Sequence, residues 1–316
     1  MPQSFLAPAL IPMYKWGRKE EDDSRAPERL GREGGRHMET HLIRVGHSPD
    51  PDDAFMFYAL AKERLHTGRY RFQHVLEAID TLNSWALEGR LEVTALSVHA
   101  YAYVADRYIL LPHGASIGRN YGPIVVAKQR LDPADLRGKR IAVPGKSTTA
   151  FLALRLYLSE FQAVDVPFDQ VFDAVERGEA DAALVIHEGQ LTFEAAGFTK
   201  LLDLGAWWHE LTGLPLPLGA NAIRKDLGES CCLEVSGYLQ ASIDYGLAHR
   251  QDALQYAMQF GRGLEAALAD RFVGMYVNED TRAWNQESRR GLEHLLQQAW
   301  EQGVITTRVR PEFLPG

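Results

Sequence analysis

The sequence has few cysteines, no dense block of basic residues and no long apolar run. Its two cysteines, Cys231 and Cys232, are adjacent and cannot join distant segments, which favours a reducing, cytoplasmic location. No apolar run reaches the roughly 18 residues that a membrane span needs, so no membrane partner is expected. The 316 residues include 34 Lys and Arg and 42 Asp and Glu, a net charge of −8, which argues against nucleic acid as a partner.

The start of the chain differs in composition from the rest. Residues 15–39 are charged, rich in glycine and almost without aliphatic side chains. Such a segment cannot bury enough apolar surface to fold, so residues 1–40 are expected to form a disordered extension. Met38 stands just before the first strand-like sequence, and we expect it to be the natural start.

Two stretches of the chain repeat the same order of elements. "LIRVGH" (42–47) precedes the loop "SPDPDD" and a helix-like run, and "RIAVPG" (140–145) precedes "KSTT" and a second such run. Repeated strand–loop–helix units predict an α/β protein with two similar lobes around a cleft. The expected lobes are residues 41–130 with 224–316, and residues 131–223. This arrangement predicts a hinged, receptor-like fold with a helical C-terminal part.

The loop "SPDPDD" contains three carboxylates, those of Asp50, Asp52 and Asp53. Three carboxylates in four positions are compatible with a metal site, but they also match the start of a helix. Asp50 would be the N-cap residue, Pro51 the first helical residue, and the next two acids would favour the helix dipole. We prefer the capping interpretation, and no metal or other cofactor is expected.

The segment "GKSTT" (145–149) resembles the end of a phosphate-binding loop. The motif requires a glycine at the position of Arg140, so a nucleotide loop is excluded. Gly145 would turn the chain, and Thr148 and Thr149 would open a helix whose free N–H groups attract an anion. Sequence alone leaves open whether these threonines bind a carboxylate or only cap the helix.

Polar residues also stand where two apolar strands are expected to end. Ser97 follows "VTAL" and His187 follows "AALVI". An imidazole at the mouth of a cleft can act as a general base, although a lone histidine beside apolar sequence is more often structural. Ser97 has no nucleophile-elbow glycines around it, which favours a binding role. Trp208 would either stack on an aromatic ligand or seal the junction of the lobes, and we prefer the sealing role.

Five collinear blocks resemble those of the 1,4-dihydroxy-6-naphthoate synthases of the futalosine route to menaquinone. They are "HSPDPDDAFMFYAL", "TLNSWALEGRLEVTALSVHAY", "RIAVPGKSTTAFL", "LVIHEGQLTF" and "DLGAWWHELTGLPLPLGA". The resemblance implies a type 2 periplasmic-binding-protein fold and a cytoplasmic lyase that converts cyclic dehypoxanthinyl futalosine, an aromatic carboxylate. It implies that His187 is the catalytic base and that substrate contacts fall on Ala95, Leu96, Ser97, Thr148 and Thr149. Ser48, Asp52 and Trp208 are further residues expected to line the cleft.

Two departures from the family pattern stand out. The usual "SPCPND" loop is "SPDPDD" here, with Asp50 and Asp52 in place of Cys and Asn, and the lysine of a Lys-Leu-Ser triplet is Ala95. Extra negative charge beside an anionic ligand should weaken its binding. Two other functions therefore stay open: a non-catalytic solute-binding protein of the same fold, and the related enzyme chorismate dehydratase. The sequence also leaves the oligomeric state open.

Overall fold

A computed structural model describes residues 40–261 and 263–316 of the chain. The predicted extension, residues 1–40, lies outside the described residues except for Thr40. Within the described part, strands and helices alternate along much of the chain, and the strands form two separate sheets. The predicted α/β class is therefore confirmed.

The strands of the described chain are three to nine residues long. In chain order they are β1 (His41–His47), β2 (Tyr70–Leu76), β3 (Val93–Ser97), β4 (Tyr108–Leu110), β5 (Ser116–Gly118), β6 (Ile124–Ala127), β7 (Arg140–Val143), β8 (Gln162–Asp165), β9 (Ala182–Val185), β10 (Thr199–Asp203) and β11 (Leu216–Arg224). Strands β3, β6 and β9 are buried at every position, as expected for strands covered on both faces.

Helices connect the strands and form the C-terminal part. They are α1 (Pro51–Met56), α2 (Tyr58–Ala61), α3 (Ile79–Glu88), α4 (Val98–Tyr101), α5 (Thr149–Tyr157), α6 (Val171–Glu176), α7 (Gly189–Thr192), α8 (Leu204–Thr212), α9 (Glu229–Ala248), α10 (Arg250–Ala257), α11 (Ala266–Tyr276), α12 (Glu279–Arg282) and α13 (Gln286–Glu301). The predicted helical C-terminal part is confirmed by α9 to α13. None of the helices in the described segments has the length and apolar composition needed to cross a membrane.

The first sheet has the strand order β2-β1-β3-β11-β4, with β5 paired to β11. Strand β1 is parallel to β2 and β3, whereas β11 is antiparallel to β3 and β4. The register of β3 and β11 pairs Ala95 with Asn221 and Ser97 with Gly219. Directly opposite residues and residues two apart share a face, so these four positions lie on one side of the sheet.

The second sheet has the order β10-β6-β9-β7-β8. The chain enters it between Gly118 and Ile124 and returns to the first sheet between Asp203 and Leu216. Both crossings precede the predicted lobe boundaries at residues 131 and 224, and the division into lobes stays a prediction. One large apolar cluster includes Leu96 of β3 and Leu184 of β9, and it therefore contains residues of both sheets.

The ends of three strands bring polar residues to one region. β3 ends at Ser97, β7 is followed by Gly145, and β9 is followed by His187. Gly145 has a φ of +100°, a left-handed conformation that favours glycine, and the turn there leads into α5. Strand ends and helix starts thus converge, as the repeated strand–loop–helix order predicts.

Candidate active site

A cavity with about 700 Å³ of empty space, part of it open solvent, lies where segments of the two sheets meet. Strands β3 and β11 and the start of α1 contribute to its wall from the first sheet, and the loops around α5 and after β9 contribute from the second. Helix α11 adds two aromatic side chains, Phe272 and Tyr276. A mostly apolar wall with a few polar side chains is typical of a site for a small organic ligand.

Most of the residues predicted from the sequence line this cavity. Its wall includes the predicted base, the five predicted substrate contacts and two of the three further cleft residues: His187, Ala95, Leu96, Ser97, Thr148, Thr149, Ser48 and Asp52. The structure therefore brings these side chains together, although their roles stay predictions.

Trp208, the third residue expected in the cleft, lies elsewhere, and that expectation is wrong. Its side chain is buried in the main apolar cluster, and its indole N–H donates to the carbonyl of Pro215 at 3.1 Å. Leu204 stands one helical turn earlier on α8 and is also buried. A tryptophan that follows a buried leucine by four residues belongs to the same helix face, which here faces the core.

His187 contacts Asp50, the first acid of "SPDPDD". The Nδ1 atom of His187 lies 3.2 Å from Oδ2 of Asp50, whose side chain is 1% exposed. Asp50 occupies the N-cap position of α1, as predicted, but its side chain makes no capping hydrogen bond. The capping interpretation is therefore right for the backbone and wrong for the carboxylate, which lies against the imidazole of His187.

The second ring nitrogen of His187, Nε2, has different surroundings from Nδ1. Its Nε2 atom is buried and has no hydrogen-bond partner among the described residues. The ring of Phe168 packs edge-on against the imidazole, with 5.1 Å between the ring centroids. The backbone of His187 has a φ of +53°, a left-handed conformation that costs energy in a residue other than glycine. Such strain is common at functional sites.

Asp52 and Asp53 add two buried carboxyls to the cavity wall. Burial raises the pKa of Asp53 to about 6, although hydrogen bonds from the N–H and the hydroxyl of Ser48 oppose this rise. Burial, together with the charges of Asp53 and Asp50, raises the pKa of Asp52 well above its usual value. Burial at this end of the cavity therefore disfavours the charged form of both carboxyls.

The hydroxyls of Thr148 and Thr149 already have partners in the protein. Thr148 Oγ1 accepts a hydrogen bond from the N–H of Phe151 and donates to the carbonyl of Gly145. Thr149 Oγ1 donates to the carbonyl of Leu218 at 2.5 Å and accepts from the N–H of His99. Capping is therefore established for Thr148. A ligand at this point would meet the free N–H groups of the first turn of α5 rather than the hydroxyl protons.

Asn83 of α3 is a buried polar residue that the sequence reasoning did not single out. Its Nδ2 atom donates to Ser97 Oγ at 3.0 Å and to Ser147 Oγ at 3.2 Å, and its Oδ1 atom accepts from Ser97 N–H. This side chain therefore joins the end of β3 to the loop before α5. The sequence signal is its spacing, since Asn83 stands beside Leu82 and three residues before Ala86, on the face of α3 that is buried.

Asn221 and Tyr276 were also missed. Tyr276 donates a hydrogen bond to Gln190, just after His187, at 2.9 Å, which ties α11 to the second sheet. Asn221 is buried in β11 and lines the cavity, and its Nδ2 atom has no hydrogen-bond partner in the described chain. A lone polar residue in the otherwise small and apolar run "LGANAI" was the signal for Asn221.

The cavity wall is acidic and contains no lysine or arginine among the described residues. In residues 40–261 and 263–316, no group of three His, Cys, Asp or Glu side chains has the arrangement of a metal site. What the wall offers is an imidazole beside a carboxylate, neutral hydrogen-bond donors, and apolar surface. These groups can remove a proton and can hold a polar aromatic molecule without a fixed cation.

Three comparisons with known proteins find relatives that match most of the chain. The family model described as "Menaquinone biosynthesis" matches residues 43–301. The chain is 42% identical over 272 residues to a 1,4-dihydroxy-6-naphthoate synthase of Thermus thermophilus, a match that covers 86% of this chain and 99% of the relative. An X-ray structure of an Archaeoglobus fulgidus protein has 46% identity and a TM-score of 0.81, and covers 84% of this chain and 99% of its own.

A more distant structure carries information about the fold alone. The alkanesulfonate-binding protein SsuA of Xanthomonas axonopodis is 17% identical, with a TM-score of 0.65 over 86% of this chain and 96% of its own. The predicted periplasmic-binding-protein-like fold is thereby confirmed. Because the family match spans most of both chains, the predicted family is confirmed as well. The chain belongs to the 1,4-dihydroxy-6-naphthoate synthase family of menaquinone biosynthesis.

Proposed function

We propose that this protein is a carbon–carbon lyase that converts cyclic dehypoxanthinyl futalosine into 1,4-dihydroxy-6-naphthoate, with His187 as the general base. The observation that carries the proposal is the environment of His187. Its Nδ1 atom lies beside the buried Asp50 carboxylate, while its Nε2 atom is buried without a hydrogen-bond partner in the described chain. A histidine with one nitrogen occupied and the other vacant is suited to accept a proton from a ligand.

Asp50 would act as a positioning residue for this base. A carboxylate near Nδ1 favours the tautomer that carries its proton on Nδ1, which leaves the lone pair on Nε2. When Nε2 takes a proton from the substrate, the same carboxylate stabilises the imidazolium that forms. The pair supplies orientation and charge compensation in one contact.

The cavity has surfaces for both parts of the proposed substrate. Ile79, Leu218 and Phe272 offer apolar contact to a bicyclic aromatic ring. The carboxyls of Asp52 and Asp53, with raised pKa values, can hydrogen-bond to hydroxyls of the sugar-derived part. A substrate carboxylate would avoid this acidic end and bind at neutral donors instead.

The proposed reaction has few steps. His187 removes a proton, the bond to the sugar-derived part breaks, and the electrons that are released complete the aromatic naphthoate ring. Closure of the cavity walls around the substrate would exclude water. A base and hydrogen bonds are sufficient for these steps, so the proposal includes no cofactor, and it places the enzyme in the cytoplasm.

The test is product formation by the purified protein. Cyclic dehypoxanthinyl futalosine and chorismate are supplied in separate reactions, and the products are identified by mass. We expect 1,4-dihydroxy-6-naphthoate from the first and no change in the second. Dehydration of chorismate would assign the related enzyme, and tight binding of the futalosine without turnover would assign a solute-binding protein.

A further inference from the structure

We infer that Asn221 is a substrate-binding residue whose amide N–H donates to an acceptor oxygen of the ligand, either a carboxylate or a carbonyl oxygen. The inference rests on the proposed function for the identity of the ligand. Its structural basis is the amide itself, which is 2% exposed, lines the cavity and has no hydrogen-bond partner for Nδ2 in the described segments.

A buried amide donor without a partner is costly for a folded protein. Burial removes the hydrogen bonds that water would supply, and buried amides therefore almost always have a partner in the protein. Asn83, another buried asparagine, shows the usual arrangement, because both of its side-chain polar atoms are bonded to the protein. Asn221 is therefore a donor whose partner is expected to be a ligand.

The surroundings of Asn221 offer its Nδ2 atom no acceptor among the described residues. Ala95 lies directly opposite on β3, on the same face, and its methyl group is too short to cover or bond the amide. Gly114 also lies close to the amide. It has a φ of +75°, and a Cβ atom there would lie 2.2 Å from Asn221 Nδ2. Only a glycine leaves the amide in its observed place.

The charge of the cavity explains why a neutral donor at this position matters. No lysine or arginine of the described chain lines the wall, and the hydroxyl protons of Thr148 and Thr149 are already donated to backbone carbonyls. Asp52 and Asp53 repel a ligand anion from their end. Donors on this wall for an anionic or carbonyl oxygen include the first N–H groups of α5, the hydroxyls of Ser97 and Ser116, and the amide of Asn221.

The experiment measures affinity for 1,4-dihydroxy-6-naphthoate, KM for cyclic dehypoxanthinyl futalosine and the unfolding free energy of four variants. Asn221→Leu has the shape of asparagine without its polar atoms and should weaken affinity about tenfold to a hundredfold. Because the variant also removes an unsatisfied buried amide, its unfolding free energy should not fall. Asn83→Leu is the matched control, and it should be destabilised because its partners are left unpaired.

Two further variants identify the ligand oxygen and the geometry. Asn221→Asp loses the donor and adds a charge, so its KM for the futalosine should exceed that of Asn221→Leu if the oxygen is a carboxylate and should equal it if the oxygen is a carbonyl. Ala95→Lys in the Asn221→Leu background places a cation on the opposite strand and should recover affinity for a carboxylate.

The outcomes distinguish a failure of this inference from a failure of the proposed function. If the native protein turns over the futalosine and Asn221→Leu binds as well as the native chain, Asn221 is not a ligand contact. An Asn221→Leu variant destabilised as much as Asn83→Leu would likewise assign the amide a structural role. Absence of turnover and binding in the native protein would instead overturn the proposed function, and with it this inference.

Discussion

His187 and Asp50 come from different sheets and meet at the cavity, with 3.2 Å between Nδ1 and Oδ2. Asp50 lies at the start of α1 in the first sheet's part of the fold, and His187 follows β9 of the second sheet. The contact joins the two halves of the site, so a change in the relative position of the sheets would also change the orientation of the proposed base.

Asp50→Asn is expected to lower kcat by about a hundredfold or more, with a much smaller change in KM. The amide keeps the size of the carboxylate but can no longer compensate the charge of a protonated imidazole. Steady-state kinetics with cyclic dehypoxanthinyl futalosine measures both constants. Unfolding free energy should not fall, because the variant removes one of three clustered buried carboxylates.

Asp173→Asn is the matched control for that variant, since Asp173 is exposed on α6 and should behave like the native chain. A loss in Asp50→Asn that appears wholly in KM would show that Asp50 acts on substrate binding and not on the base. Unchanged kinetics would show that the contact with His187 has no part in turnover.

Thr148→Val and Thr149→Val are both expected to reduce stability. The first removes the cap of α5, at a cost of about 1 kcal/mol. The second leaves the carbonyl of Leu218 and the N–H of His99 without their partner, at a cost of about 1–3 kcal/mol. Urea denaturation measures the effect, and Thr199→Val, at an exposed position of β10, should change stability by less than about 0.5 kcal/mol. Full stability with lost affinity would indicate that the hydroxyls contact the ligand.

Asp53 should make stability depend on pH in a defined direction. Its pKa is about 6 in the folded chain and close to 3.8 in the unfolded one, so the folded state binds more protons between these values. The stabilisation from this group is complete below about pH 4 and is lost as the pH rises through about 6. Asp53→Asn does not titrate and keeps an acceptor for Ser48, so its stability relative to the native chain should increase across this range. Parallel urea titrations at pH 4, 5, 6 and 7 measure the difference, and a constant difference would contradict the raised pKa.

Much of the site follows from local sequence patterns. Apolar runs predict β3 and β9, and the polar residues after them, Ser97 and His187, are placed at the cavity because strand ends meet at one edge of a sheet. The start of α5 is predicted by Gly145 and the capping threonine. These features are local, since each depends on residues within a few positions of one another.

The remainder depends on how distant segments pack. Nothing near Asp50 in the sequence indicates His187, and helix-start preferences alone suggest a capping carboxylate. The pairing of Asn221 with Ala95 depends on the register of antiparallel strands that are far apart in the chain. Trp208 was misplaced because a tryptophan beside glycine and proline is compatible with either a cleft or a core, and only the buried face of α8 decides.

The role of His187 is tested most directly by turnover of cyclic dehypoxanthinyl futalosine by the native protein and by His187→Asn, with binding of 1,4-dihydroxy-6-naphthoate measured in both. We expect the native protein to form the product. The variant should fold, bind the product within a few-fold of native affinity, and lose turnover by about a hundredfold to ten-thousandfold, the usual contribution of a general base. A folded His187→Asn variant that turns over at the native rate would show that the imidazole is not the base.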